Sequence, residues 1–311
     1  MSTSTLRIGT RSSELAMRQT EQAIAAMTAA TPTLTAEIIP ITTAGDARTD
    51  IPLCKVNKAT QTQDKGVFIA ALEEALAEGR IDCAVHSLKD MPGTLDERFE
   101  IAAILPRETI WDVLVIKEGA NMERLTIGTS SVRRANLIRN YWSGTANTVS
   151  IRGNVATRLQ KLVDTPEMDA IVLAKAGLNR LGYNQPTIDI NGTRLHVIEM
   201  AKDSFMPAFC QGAIAIEIRK GDEATKALVA PANDEASAAT VRAERAFLAD
   251  LQADCSVPVG GYATSNRDLM MFRAIYYTAD GMPIRITHRG PSSEPERIGR
   301  EACAMLKQQL G

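Results

Sequence analysis

Short apolar segments alternate with longer amphipathic segments through the first third of the chain. Segment 6–10 is strand-like, and Ser12 or Ser13 after it can cap a helix in which Leu15 and Met27 belong to one apolar stripe. The elements predicted here are strand 6–10, helix 14–27, strand 36–42, helix 66–78 and strand 81–88. This alternation predicts a parallel or mixed sheet covered by helices.

A similar alternation restarts near Trp111. The elements predicted there are strands 113–116, 125–128, 149–151 and 170–174 and helices 132–141 and 157–163. Segments 8–13 and 127–131 resemble one another, since each is a strand running into a serine-capped helix. The pattern therefore predicts a second α/β lobe related to the first.

The last part of the chain follows a different order. After strand 213–218, the elements predicted are helix 235–251, strands 270–277 and 283–289, and helix 295–310. The fold class predicted for the whole chain is α/β, with two lobes built on mixed sheets and a smaller α+β domain at the C-terminal end. The predicted domains are 1–108 with 208–230, then 109–207, then 231–311.

Composition narrows the function classes. A length of 311 residues fits two or three domains. A net charge of −2 with 4% aromatic residues argues against a nucleic-acid partner. No segment has the apolar length of a membrane span and no secretory signal is visible, so we expect a cytoplasmic protein. Five cysteines without a C-x-x-C pair, and three histidines, argue against a disulfide framework and a metal site.

Four arginines gather around two predicted helix starts. Arg133 and Arg134 follow the turn Gly-Thr-Ser-Ser at 128–131, and Arg152 and Arg158 lie on either side of a Gly-Asn turn. Helix N-termini and guanidinium groups both suit carboxylate or phosphate groups. The alternative is that these arginines form exposed ion pairs of little energetic value. Because the turns and the charges coincide, we favour a site for a small polyanion.

Two further positions are candidates for chemistry. Asp90 follows strand 81–88 at its carboxyl end, where open α/β sheets bind their ligands. Cys255 lies between a helix end and a Val-Pro-Val-Gly-Gly turn, so its thiol is predicted to project from a loop, although most cysteines are buried and inert. His86 is expected to be a hydrogen-bonded histidine at the edge of the core, and Cys83 a core residue.

Six segments together carry a family resemblance. They are 85–92 (VHSLKDMP), 128–134 (GTSSVRR), 152–158 (RGNVATR), 173–182 (LAKAGLNRLG), 211–212 (QG) and 255–260 (CSVPVG). In this order and spacing they resemble the porphobilinogen deaminase, or hydroxymethylbilane synthase, family over nearly the whole chain. The resemblance implies three domains, of which the first two are similar to the lobes of periplasmic binding proteins and enclose the active site between them.

The resemblance also implies an activity. The family is a transferase of heme biosynthesis that joins four porphobilinogen molecules head to tail with release of ammonia, giving hydroxymethylbilane. It builds the product on a dipyrromethane cofactor held by a cysteine thioether. It further implies a monomer whose partner is a small-molecule substrate, with neither a membrane nor nucleic acid involved.

Site residues follow from the same resemblance. Cys255 matches the attachment cysteine and Asp90 the catalytic aspartate, which is expected to stabilise the cationic azafulvene left when ammonia departs. The positions that match cofactor- or substrate-binding residues are Arg11, Ser13, Phe68, Ser87, Lys89, Thr129, Ser131, Arg133, Arg134, Arg152, Arg158, Arg180 and Gln211. The many cations are expected to offset the acetate and propionate charges of the growing pyrrole chain.

The chain departs from the family pattern at a few places. Loop 55–65 is several residues longer than expected, and Cys210 and Asp254 stand where glycine is usual, which is expected to stiffen two turns. Two other functions stay open on the sequence: a non-enzymatic two-lobed carboxylate binder, and an inactive paralogue of the same fold. A binder would need neither Asp90 nor Cys255.

Overall fold

The computed structural model describes residues 5–42, 69–252 and 257–311. The elements of the first lobe are strands β1 (Thr5–Arg11), β2 (Thr35–Ile41), β3 (Cys83–Ser87) and β4 (Phe99–Ile104) and helices α1 (Glu14–Ala30) and α2 (Ala70–Ala77). These strands and a later one, β11 (Ile214–Arg219), form a mixed sheet of order β2-β1-β3-β11-β4. The inner strands β3 and β11 are almost wholly buried because helices cover the sheet.

A second mixed sheet has the order β7-β6-β8-β5-β10-β9. Its strands are β5 (Asp112–Lys117), β6 (Thr126–Gly128), β7 (Asn147–Val149), β8 (Ala170–Ala174), β9 (Thr187–Ile190) and β10 (Thr193–Glu199). Its helices are α3 (Val132–Tyr141), α4 (Val155–Asp164) and α5 (Lys175–Arg180). The predicted pair of α/β lobes on mixed sheets is thus confirmed. Strands β4, β9 and β10 were not predicted.

The remaining elements follow β11. They are α6 (Glu223–Val229), α7 (Glu235–Leu251), β12 (Val259–Asn266), β13 (Leu269–Tyr277), β14 (Pro283–Pro291) and α8 (Pro295–Leu310). Strands β12 to β14 form an antiparallel sheet against which α7 and α8 pack, so the predicted α+β unit is confirmed. The sequence predicted two strands here, and the third is β12. Glycine is typical of turns, but Gly261 lies within β12, where a Cβ would be 2.3 Å from the Arg273 carbonyl oxygen of the neighbouring strand.

The chain passes between the two larger sheets twice, first between β4 and β5 and later between β10 and β11. The two passages are hydrogen-bonded to each other, from Glu108 N to Gly212 O (3.3 Å), and Leu105 N donates to Ile214 O at the start of β11 (3.1 Å). We call residues 105–111 the first crossing and residues 206–213 the return crossing. Phe209 of the return crossing packs on Phe247 and Phe272 of the third unit, so all three units meet at the crossings.

His86 and Cys210 are both buried. His86 is buried, and its Nε2 lies 2.8 Å from Glu217 Oε2, which confirms a hydrogen-bonded histidine at the core. Cys210 lies in the predicted turn with φ of 58°, a conformation in which glycine is the least strained residue. In the described part of the chain, no helix combines the length and the apolar composition needed to cross a bilayer.

Candidate active site

The carboxyl ends of β1 and β3 bring the first group of candidate residues to one edge of the first sheet. The two strands are parallel, so Arg11 at the end of β1 lies on the same edge as Ser87, Lys89 and Asp90. The chain after β3 turns at once into a 3-10 helix, Leu88–Asp90, which fixes Lys89 and Asp90 next to the strand end. Ser13 caps α1 by accepting from Ala16 N (3.4 Å).

The second lobe presents a matching edge. Strands β6, β7 and β8 run parallel, and helices begin directly after the first two of them. Ser131 caps α3 by accepting from Arg134 N (3.3 Å), and Asn154 caps α4 by accepting from Thr157 N (2.8 Å). Thr129 lies in the turn before α3, where its hydroxyl accepts from Ser131 N (3.2 Å). The predicted helix start at Val132 and its serine cap are therefore confirmed, whereas α4 begins at Val155, two residues before the predicted start.

Electrostatic interactions show that these two edges face each other. The pKa of Lys89 is lowered to about 8, first by burial and then by the nearby cations Arg134 and Arg158, against the opposing charges of Asp90 and Asp112. Burial likewise lowers the pKa of Arg158 to about 10, together with Arg134, while Asp90 again opposes. Lys89 of the first lobe is thus close enough to Arg134 and Arg158 of the second lobe to interact with them electrostatically, and Asp90 interacts in the same way with Arg158.

Arg152, beside the start of α4, has a guanidinium nitrogen that makes no hydrogen bond to the described residues. Its Nη1 is fully buried and has no hydrogen-bond partner among the described residues. Arg158 donates from Nε to Gly153 O (2.7 Å), which turns its side chain back over the Gly-Asn turn. An unpaired buried guanidinium nitrogen next to a second arginine is a strong potential binding position for an anion.

Arg133 and Arg134 have a partner that the sequence did not reveal. Both guanidinium groups donate to the fully buried carboxylate of Asp112, at 2.9 Å from Arg133 and 2.6 Å from Arg134. Burial alone would raise the pKa of Asp112, but the two arginines and the hydrogen bonds from Arg134 and Gln211 hold it below its usual range. Asp112 gave no signal in the sequence because its partners lie about twenty positions away in a different element.

Arg180 and Gln211 lie at the crossings. Arg180 donates to Gly212 O (2.7 Å) and to Gln22 Oε1 of α1 (3.2 Å), so it joins both lobes to the return crossing. Gln211 is 1% exposed, and its amide donates to Ile110 O (2.8 Å) and to Asp112 (2.9 Å). Cys255, Asp254, Phe68 and loop 55–65 lie outside the described residues.

Fold and site together define an α/β enzyme whose cleft is lined with cations, and the comparisons with known proteins agree. The chain matches the family model "Porphobilinogen deaminase, dipyromethane cofactor binding domain" over residues 6–227. It matches the model of that family's C-terminal domain over residues 238–308. The chain belongs to the porphobilinogen deaminase family, which confirms the resemblance, the transferase class and the dipyrromethane cofactor inferred from the sequence.

Curated relatives support the same assignment over nearly the full length. A porphobilinogen deaminase of Syntrophotalea carbinolica is 40% identical, covering 98% of this chain and 93% of its own. One of Roseiflexus sp. strain RS-1 is 40% identical, covering 98% and 96%. Among solved structures, an ancestral arginine-binding protein bound to arginine covers 73% of this chain and 90% of its own, with a TM-score of 0.37 and 15% identity.

Proposed function

We propose that the cleft between the two sheet edges is the site where this enzyme joins four porphobilinogen molecules head to tail on a dipyrromethane primer, releasing ammonia and giving hydroxymethylbilane. The single observation that carries this proposal is the placement of Lys89 and Asp90 opposite Arg134 and Arg158. One carboxylate among several cations suits a substrate that is itself acidic and passes through a positively charged state.

The cations of the cleft fit the primer chemically. Each pyrrole ring carries an acetate and a propionate group, so a lengthening chain brings many negative charges into one place. Arg152 offers a buried Nη1 without a partner among the described residues. The pKa values of Lys89 and Arg158 are lowered, and a bound carboxylate would raise both of them again. Charge-assisted hydrogen bonds of this kind contribute about 1.5–3 kcal/mol each. When bound, the primer supplies the free α-carbon to which the next pyrrole is joined.

Further residues are proposed to hold carboxylates at the two strand edges and helix starts. Arg11, Ser13 and Ser87 would do so on the first lobe, and Thr129 and Ser131 on the second. The helix starts at Ser131 and Asn154 support this, because the first turns of α3 and α4 leave backbone N–H groups available to an anion. The aromatic side chain of Phe68 is proposed to lie near the pyrrole rings instead.

Asp90 is proposed to stabilise the positive charge that develops when ammonia leaves the substrate, and to assist the accompanying proton transfers. Its carboxylate lies near the cations Lys89 and Arg158, and its charge opposes the lowering of their pKa values. Asp90→Asn is expected to lower kcat by at least about a hundredfold without loss of the bound primer. The matched control is Asp82→Asn, because Asp82 lies just before the opposite end of the same strand, where it pairs with Arg7. Normal turnover by Asp90→Asn would refute the role.

Cys255 is proposed as the attachment thiol. The cysteines within the described residues, Cys83, Cys210 and Cys303, are all buried, and burial raises the pKa of the Cys210 thiol to about 12. Thiols in such surroundings are poor nucleophiles. Intact-mass measurement is expected to find two pyrrole units on the native chain and none on folded Cys255→Ala. A Cys255→Ala protein that still carries the adduct would point to Cys210 instead.

The domain organisation, the oligomeric state and the cellular compartment are also part of the proposal. We propose a cytoplasmic monomer with domains 1–108 plus 208–230, 109–207 and 231–311. The membership of β11 in the first sheet supports the discontinuous first domain, and the unbridged buried cysteines suit a reducing compartment. Sedimentation equilibrium and limited proteolysis test the oligomeric state and the boundaries.

A further inference from the structure

Asp112 occupies an unusual position for a residue with no assigned part in the reaction. It is the first residue of β5, directly after the first crossing, and is 0% exposed. Its two oxygens accept hydrogen bonds from three side chains on two other segments of the chain. The bonds come from Arg133 Nη2 (2.9 Å), Arg134 Nε (3.2 Å), Arg134 Nη2 (2.6 Å) and Gln211 Nε2 (2.9 Å).

The remaining hydrogen bonds of the two arginines go to backbone carbonyl oxygens. Arg133 donates from Nη1 to Met206 O (2.6 Å) at the start of the return crossing. Arg134 donates from Nη1 to Val172 O (2.9 Å) in the neighbouring strand β8. Each guanidinium plane is therefore fixed by a carboxylate on one side and a carbonyl on the other. Two cations share one anion, so one positive charge remains uncompensated within the cluster.

We propose that Asp112 is a positioning residue: its carboxylate sets the orientation of Arg133 and Arg134 toward the cleft and, through Gln211, ties this orientation to the return crossing. The inference rests on the proposed function, and it takes Arg133 and Arg134 to be two of the cations that offset the carboxylates of the pyrrole chain. The cluster joins the start of β5, the return crossing and the first turn of α3.

A neutral substitution at Asp112 distinguishes an effect of its charge from an effect of its position, because the two would change the KM in opposite directions. Asp112→Asn removes a negative charge and so makes the cleft more positive, which by electrostatics alone would tighten the binding of an acidic substrate. Its amide group, however, would direct N–H donors at guanidinium donors and release at least one arginine. If position dominates, the KM for porphobilinogen therefore rises by about tenfold or more despite the added positive charge.

Asp112→Glu is the second variant, because it keeps the charge and moves the carboxylate by one methylene. The expected result is again a higher KM, with kcat changed less than KM. Rates are measured on the holoenzyme and divided by the fraction of chains that carry the primer, as determined by intact mass. This separates positioning from a simple loss of folded or loaded protein, even where Asp112→Asn folds poorly.

A double-mutant cycle with Arg134→Gln tests whether Asp112 acts on substrate binding through Arg134. If Asp112 acts through Arg134, the double variant Asp112→Asn/Arg134→Gln is no worse than the poorer single variant in kcat/KM. The matched control is Asp82→Asn, which also removes a carboxylate placed near two arginines, Arg7 and Arg219, but far from the cleft. It is expected to alter thermal stability and leave KM unchanged.

The outcomes are distinguishable. A lower KM for Asp112→Asn with an unchanged KM for Asp112→Glu overturns the proposal in favour of a bulk charge effect. Unchanged kinetics per loaded chain in both variants, with only thermal stability reduced, overturns it in favour of a structural role. Unchanged kinetics for Arg133→Gln and Arg134→Gln contradict the carboxylate-binding role in the proposed function itself.

Discussion

Arg107→Met removes one half of a buried ion pair on which the third unit depends. Arg107 lies in the first crossing and donates to both oxygens of Glu244 on α7, at 2.6 and 3.0 Å. The Glu244 side chain is 0% exposed and that of Arg107 is 9% exposed. Glu244 also accepts from the backbone of Cys210 in the return crossing and of Ala263 in β12. One carboxylate thus holds both crossings, α7 and β12 together.

The expected cost follows from what remains after the substitution. Methionine leaves Glu244 ionised and buried with only two amide donors, or forces it to take up a proton. Breaking a buried pair in this way costs about 3–5 kcal/mol of unfolding free energy, because the remaining charge is uncompensated. The double variant Arg107→Met/Glu244→Leu removes the charge but leaves the Cys210 and Ala263 amides without an acceptor. It should therefore recover only part of the loss.

Urea unfolding measured by tryptophan fluorescence is a suitable assay. The chain has two tryptophans, and Trp111 at the end of the first crossing makes an edge contact with Tyr262 of β12, with 5.1 Å between ring centroids. In a Trp142→Phe background, Trp111 reports on the junction itself. This matters because a chain with several units need not unfold in a single step.

The control is Arg98→Met. Arg98 also makes a bidentate contact with a carboxylate, that of Asp96, but its side chain is 60% exposed. An exposed pair contributes about 0–1 kcal/mol, so little stability should be lost. Equal losses for Arg107→Met and Arg98→Met would refute the argument from burial.

Two other predictions concern the cleft and the third unit. The pKa of Lys89 is about 8 without ligand, so above pH 8 this side chain is mostly neutral. A bound carboxylate raises this pKa, and Lys89 must therefore take up a proton when the ligand binds. The affinity of Cys255→Ala protein for porphobilinogen should therefore fall as the pH rises above 8, and binding should be accompanied by proton uptake. Calorimetry in buffers of different ionisation enthalpy measures this uptake, and Lys89→Arg should abolish it. In α8, a Cβ on Gly299 would lie 2.0 Å from Ala243 O, so Gly299→Ala should separate α7 from α8 and cost about 1–3 kcal/mol or more. Gly177→Ala in α5, where the nearest atom would be at 3.6 Å, should instead stabilise by about 0.5–1 kcal/mol, and thermal unfolding of both variants checks this pair.

Much of the local structure could be predicted because it depends on near neighbours in the chain. Helices 132–141, 235–251 and 295–310 have the predicted bounds, and Ser131 caps α3 through a bond to a residue three positions away. The family could also be identified, since its motifs are contiguous segments, and the family models confirm it. Strand β12 was missed because its two glycines suggested a turn. They are instead required by close approaches, of the Pro207 carbonyl oxygen to Gly260 and of the neighbouring strand and the Phe209 ring to Gly261.

The sequence by itself determined where the cations of this enzyme would gather: beside capped helix starts and at the carboxyl ends of strands. Only the tertiary structure decided which of them are already paired. Arg133 and Arg134 share Asp112, and Arg107 pairs with Glu244 across 137 positions of sequence, while Arg152 keeps a buried nitrogen without a described partner. The physical reason is that a buried charge takes its counter-charge from whichever segment the fold brings within hydrogen-bonding distance, and that choice has no period or motif along the chain.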